Sequence, residues 1–183
     1  MAVPAVNELA ETEKDVEIIW RAFELRPKPA PLPDATSERF KQMWESSIYP
    51  LADKIGVKMK MPTVKPYSRR THEAAKWAES NGDFDKYKNE IFRAYFERDE
   101  NIGEIETLLS IAKSLKLDKE SLQKSLETNE FLESVLIDEK DAAEMGINGV
   151  PAFIADRKSG FSGLQTVENL RMLIESVRDD ITN

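Results

Sequence analysis

The apolar positions of this chain follow more than one period. Val3, Val6, Leu9 and Ala10 fall on one face at helical spacing, which predicts a short helix near the start. Over residues 16–25 the pattern turns strand-like. Ile18, Trp20, Ala22 and Glu24 alternate with Ile19, Arg21, Phe23 and Leu25, and both sets are mostly apolar. A β-branched and aromatic run with two apolar faces predicts a strand covered on both sides, as in an α/β sheet. Pro27, Pro29, Pro31 and Pro33 follow at alternate positions. They forbid helix and favour extension, so the segment reads as a stiff connector, a simpler reading than a PxxP-type ligand.

Helical periodicity dominates residues 36–147, with helices expected near 36–55, 68–80, 84–98, 102–115, 119–127 and 130–145. Asn81-Gly82 supplies a stop, and Asp83 and Asp118 are placed to cap the helices that follow them. Ile91, Phe92, Tyr95 and Phe96 suggest one apolar stripe, and Leu108, Leu109, Ile111, Ala112 and Leu115 another. The character changes again at Gly146. Two short apolar stretches around Pro151–Ala155 and Phe161–Leu164 flank the polar turn Asp156-Arg157-Lys158-Ser159-Gly160 and precede a last helix over 166–181. That order predicts a hairpin closed by a helix. Strand-bearing segments, 1–33 and 146–183, therefore flank a helical block, 34–145.

Composition narrows the chemistry. With 34 Asp and Glu against 26 Lys and Arg the net charge is −8, which opposes wrapping nucleic acid or lying on an anionic membrane. No run of apolar residues is long enough to span a bilayer. The N-terminal residues lack a basic region followed by an apolar stretch, so a secretory signal is not expected and the expected compartment is the cytoplasm. The chain has no cysteine and one histidine, His72. Disulfide chemistry, thiolate nucleophiles and Cys- or His-rich metal sites therefore have no side chains to work with, and neither a metal nor another cofactor is expected.

Four stretches, taken in order, resemble the DsbA-like branch of thioredoxin-fold proteins, and within it the FrnE-like group. They are Ile18-Ile19-Trp20-Arg21-Ala22-Phe23-Glu24-Leu25-Arg26-Pro27, Ser68-Arg69-Arg70-Thr71-His72-Glu73-Ala74-Ala75-Lys76-Trp77-Ala78, Phe92-Arg93-Ala94-Tyr95-Phe96 with Asn101-Ile102-Gly103, and Gly146-Ile147-Asn148-Gly149-Val150-Pro151-Ala152-Phe153-Ile154. The resemblance implies an α/β class: a thioredoxin-like fold lacking its first core strand, with a large all-helical insertion domain. Ala2–Leu9 resembles the stretch just after the family's Cys-X-X-Cys motif, and neither the first strand nor the cysteines have a counterpart here. The implied activity is that of a thiol–disulfide oxidoreductase, redox-inactive as written, with no catalytic residue assigned.

The resemblance also implies that Val150-Pro151, with Gly149 before them, form the family's cis-proline loop. There the residue before the proline offers its backbone to an extended peptide or thiol-containing substrate. A trans proline merely starting a strand is the alternative. Without the first strand, residues 16–25 and 152–155 are expected either to pair directly or to be bridged by another chain, giving a homodimer. Other functional readings are a glutathione-dependent isomerase of the 2-hydroxychromene-2-carboxylate type, and a non-catalytic module binding a peptide or partner in the same groove. His72 suggests a solvated or hydrogen-bonded histidine before a ligand. Arg69-Arg70 suggests an anion site or a solvated helix start. Asp138-Glu139 and Asp179-Asp180 matter for acid–base work only if they share a cleft. The Met59/Met61 pair suggests an apolar groove or a loop gap-filler.

Overall fold

A computed structural model describes residues 1–178 of the chain. They divide into two compact units, one of residues 1–21 with 140–178 and one of residues 22–139. The expected last turn at 179–181 and the Asp179-Asp180 pair lie outside the described residues.

The first unit holds α1 (Val3–Thr12), the hairpin strands β1 (Ala152–Ala155) and β2 (Ser159–Ser162), and α9 (Val167–Arg178). Pro4 lies in the first turn of α1, where its missing N–H costs nothing. Val6 and Leu9 of α1 meet Val167 and Leu170 of α9 in a small core, joined by Ile18, Trp20 and Phe153. Arg171 ties the two helices at their surface, reaching Glu13 at 3.1 Å and Thr12 Oγ1 at 2.9 Å.

The second unit is helical. Its elements are α2 (Glu38–Met43), a π-helical turn (Trp44–Ile48), α3 (Tyr49–Lys54), α4 (Arg69–Ser80), α5 (Phe84–Phe96), α6 (Ile105–Ser114), α7 (Lys119–Glu127) and most of α8 (Leu132–Glu144). The single helix expected over 36–55 is interrupted. Pro50 has no N–H to give to residue 46, and the ladder widens in the turn just before it. Trp77, Tyr87, Ile91, Leu108 and Leu122 centre the core. Tyr87 is wholly buried, and its hydroxyl donates to the Leu108 carbonyl at 2.9 Å. On α5 the buried face is Tyr87, Ile91 and Ala94; Phe92 lies off it and is exposed. Asp118 caps α7, its side chain accepting from the Ser121 N–H at 2.9 Å. Asp83 does not cap α5; its carboxylate is taken by Lys86 at 2.8 Å.

Two expectations are corrected. Residues 16–24 alternate in burial but carry no regular secondary structure, and the only sheet among the described residues is the antiparallel pair β1–β2. The segment therefore neither pairs with β1 nor counts as a strand. Asp138 holds part of its backbone instead, the Ala22 N–H donating to Asp138 Oδ2 at 2.9 Å, and His72 lies close to the Phe23 backbone. The proline-rich segment is not a straight connector either. Its Lys28–Pro29 bond is cis and the Ala30 N–H bonds back to the Pro27 carbonyl at 2.9 Å, making a turn. Tyr67 clamps that turn, its hydroxyl donating to the Ala30 carbonyl at 3.0 Å.

Candidate functional site

The loop before β1 is set up by the end of α8. Gly146 takes a positive φ of 70°, and the Gly146 and Ile147 amides bond back to the carbonyls of Ala143 and Ala142 at 3.0 and 2.9 Å. This is a Schellman stop, and a residue with a β-carbon would be strained at position 146. Asn148, Gly149 and Val150 then cross the surface, with Val150 48% exposed. The Val150–Pro151 bond is cis.

The register fixes which backbone groups of β1 are free. Ala152 pairs with Ser162, Phe153 with Phe161, Ile154 with Gly160 and Ala155 with Ser159. The Gly163 N–H donates to the Pro151 carbonyl at 2.8 Å. In an antiparallel ladder alternate pairs carry the bonds, so Pro151, Phe153 and Ala155 face β2. The N–H and C=O groups of Ala152 and Ile154 face the opposite edge, where no strand pairs among the described residues. The chain turns between the strands through Asp156 and Arg157, both at positive φ (47° and 58°), as a type I′ turn requires. Arg157 is anchored to Asp141 at 3.0 Å.

Side chains sort by the same alternation. Phe153 packs on α1 and α9, as do Ile18 and Trp20. Ile19 and Ile154 are left exposed, at 54% and 40%. The three residues expected at the site, Gly149, Val150 and Pro151, thus begin an apolar strand edge with open hydrogen-bonding groups. No group of His, Asp and Glu suited to a metal occurs among the described residues.

The remaining candidates lie in the helical unit and serve its packing. His72 is half-buried. Burial pushes its imidazole below the ordinary range, against the opposing pull of Glu24. At the start of α4, Arg70 is exposed, whereas the partly exposed Arg69 bridges the carboxylates of Glu24 and Glu139. Asp138 and Glu139 diverge from each other. Asp138 is buried and holds Lys76 at 2.9 Å, whereas Glu139 faces Arg69. Met59 lines an open cleft of about 840 Å³ together with Glu45, Tyr49, Asp53, Lys58 and Lys60, a wall of mixed charge. Sequence reasoning missed the Glu24–Arg69–Glu139 bridge. Its signal was a lone carboxylate, Glu24, within an apolar run.

The DSBA-like thioredoxin domain family matches residues 1–175. The uncharacterized protein YwbO of Bacillus subtilis is 38% identical over 154 residues, which are 82% of this chain and 77% of that protein. Among solved structures, a probable DsbA oxidoreductase from Streptomyces coelicolor superposes with a TM-score of 0.81 at 23% identity, covering 94% of this chain and 80% of its own. A 2-hydroxychromene-2-carboxylate isomerase superposes with a TM-score of 0.70 at 21% identity, covering 99% and 90%. The chain shares their fold, thioredoxin-like of the DsbA type, and its described residues are mostly helical with a small two-stranded sheet. No helix among the described residues is long and apolar enough to cross a membrane. By the match over residues 1–175, the chain belongs to the DSBA-like thioredoxin domain family.

Proposed function

We propose that this DsbA-like chain grips extended segments of thiol- or disulfide-bearing proteins along the outer edge of β1, beginning at Gly149, Val150 and Pro151. One observation carries the reading. Ala152 and Ile154 turn their backbone donors and acceptors away from β2, beside the exposed side chains of Val150 and Ile154. An added strand satisfies such groups and gains main-chain bonds that do not depend on the guest's sequence. Thiol exchange needs a thiolate, and the 183 residues contain no cysteine, so the role proposed for them is binding.

Fluorescence anisotropy with labelled, alkylated insulin B chain tests this. Ile154→Pro removes an outward N–H without removing a β1–β2 bond, so the fold survives while strand addition is blocked. Wild type should bind saturably and the variant at least about tenfold more weakly. Equal binding by both sinks the proposal. Saturable glutathione binding by calorimetry without peptide binding would favour the isomerase reading. A concentration-dependent dimer that peptide does not dissolve would give the edge to a second copy.

A further inference from the structure

Glu24 and Glu139 meet on a single guanidinium. Arg69 Nε contacts Glu24 Oε1, and Arg69 Nη2 lies 3.5 Å from Glu139 Oε2. The Glu24 side chain is 2% exposed and that of Glu139 21%. Glu139 Oε1 is buried and receives no hydrogen bond, although the Glu24 carboxyl group lies within hydrogen-bonding reach of Glu139. Two carboxylates and one cation leave a surplus negative charge, and a buried acceptor without a donor is costly. A single proton resolves both faults. Placed on Glu139 it turns the orphaned oxygen into a donor toward Glu24 and removes the surplus charge.

We infer that Glu139 carries a proton that it donates to Glu24, and that this bond clasps the Ala22–Glu24 stretch to α8. The clasp is independent of peptide binding at β1. The neighbouring groups are accounted for. Arg69 on α4 and the Glu24 backbone N–H favour the ionised form of Glu139. His72 lies close to the Phe23 backbone, and Lys76 is occupied by Asp138 of α8. Glu73, also on α4, is buried with an orphaned Oε2, and its nearest charges are Arg69, Arg70 and Glu24. Burial and the Glu24 carboxyl raise the Glu139 carboxyl above its ordinary range. A carboxyl raised on folding contributes its stability below the unfolded value, and loses it as pH rises through the folded value.

The test is a carbon-13 carboxyl titration of the full chain by NMR, with urea unfolding across the same pH range. Glu139 should titrate above a blocked glutamate peptide, and Glu24→Gln should move its midpoint down toward that peptide. Glu139→Gln keeps a donor for Glu24 but cannot ionise, so wild type should lose stability relative to it as pH rises. A Glu139 midpoint at or below the peptide's, or one unmoved by Glu24→Gln, overturns the inference.

Discussion

Gly160 lies opposite Ile154 in the hairpin, and a β-carbon at position 160 would stand 2.5 Å from Ile154 Cδ1 and 2.8 Å from the Phe153 carbonyl oxygen. The side-chain contact can be relieved by rotation, but the carbonyl contact cannot. Gly160→Ala must shift β2 against β1 and should cost about 1–3 kcal/mol, the usual cost of overpacking. Thermal unfolding of the variant checks this; an unchanged midpoint would mean that the hairpin yields freely.

Asp138 holds two partners at once, the Ala22 N–H and Lys76 Nζ, each at 2.9 Å. Its side chain is 1% exposed and that of Lys76 11%. Removing the carboxylate leaves a buried cation and a buried amide without this acceptor. Asp138→Ala should lose about 3–5 kcal/mol, the range for breaking one side of a buried pair. Urea denaturation measures it. A loss below about 1 kcal/mol, typical of a surface pair, would contradict the packing described.

The cap of α7 gives a smaller, local effect. Asp118→Ala removes the acceptor for the Ser121 N–H and should cost about 1 kcal/mol. Asp83→Ala removes no cap bond, only an exposed contact with Lys86, and should be nearly silent. Comparing the two by urea unfolding tests the capping assignment.

Burial also separates the tyrosines. It raises Tyr95, whose hydroxyl donates to the Val64 carbonyl at 3.2 Å, to about 12, and it raises Tyr87 as well. A phenol favoured in its neutral form on folding stabilises below its unfolded value near 10, and that stability is lost as pH rises from there toward the folded value. Spectrophotometric titration should show a late ionisation that shrinks in Tyr95→Phe or Tyr87→Phe and disappears when both are replaced. A single phase near the free-phenol value would contradict it.

The helices were legible because Leu108, Ile111 and Ala112, or Leu122 and Leu126, repeat at the period of a buried helical face. The hairpin was legible from its polar turn between two apolar stretches. Residues 16–25 were misread because alternation reports two environments along an extended chain and says nothing of a ladder partner. Ile18 and Trp20 do pack inward and Ile19 outward, as in a strand, yet no neighbour bonds to them as one. Pro50 should have warned that the helix over 36–55 would break. For the Arg69 bridge the sequence offered one hint, the lone Glu24 in an apolar run, but its partners come from distant parts of the chain and no local pattern names them. The Gly149-Val150-Pro151 loop came from family resemblance, whereas its open edge came only from the register.

The outer edge of β1 is proposed to receive an extended chain. Amide hydrogen exchange on the full chain, with and without saturating alkylated insulin B chain, reads that edge residue by residue. The Ala152 and Ile154 amides should become protected by peptide, while Phe153, already bonded to β2, changes little. Bound peptide that leaves Ala152 and Ile154 exchanging as before, or that protects the cleft around Tyr49 and Lys58 instead, would contradict it.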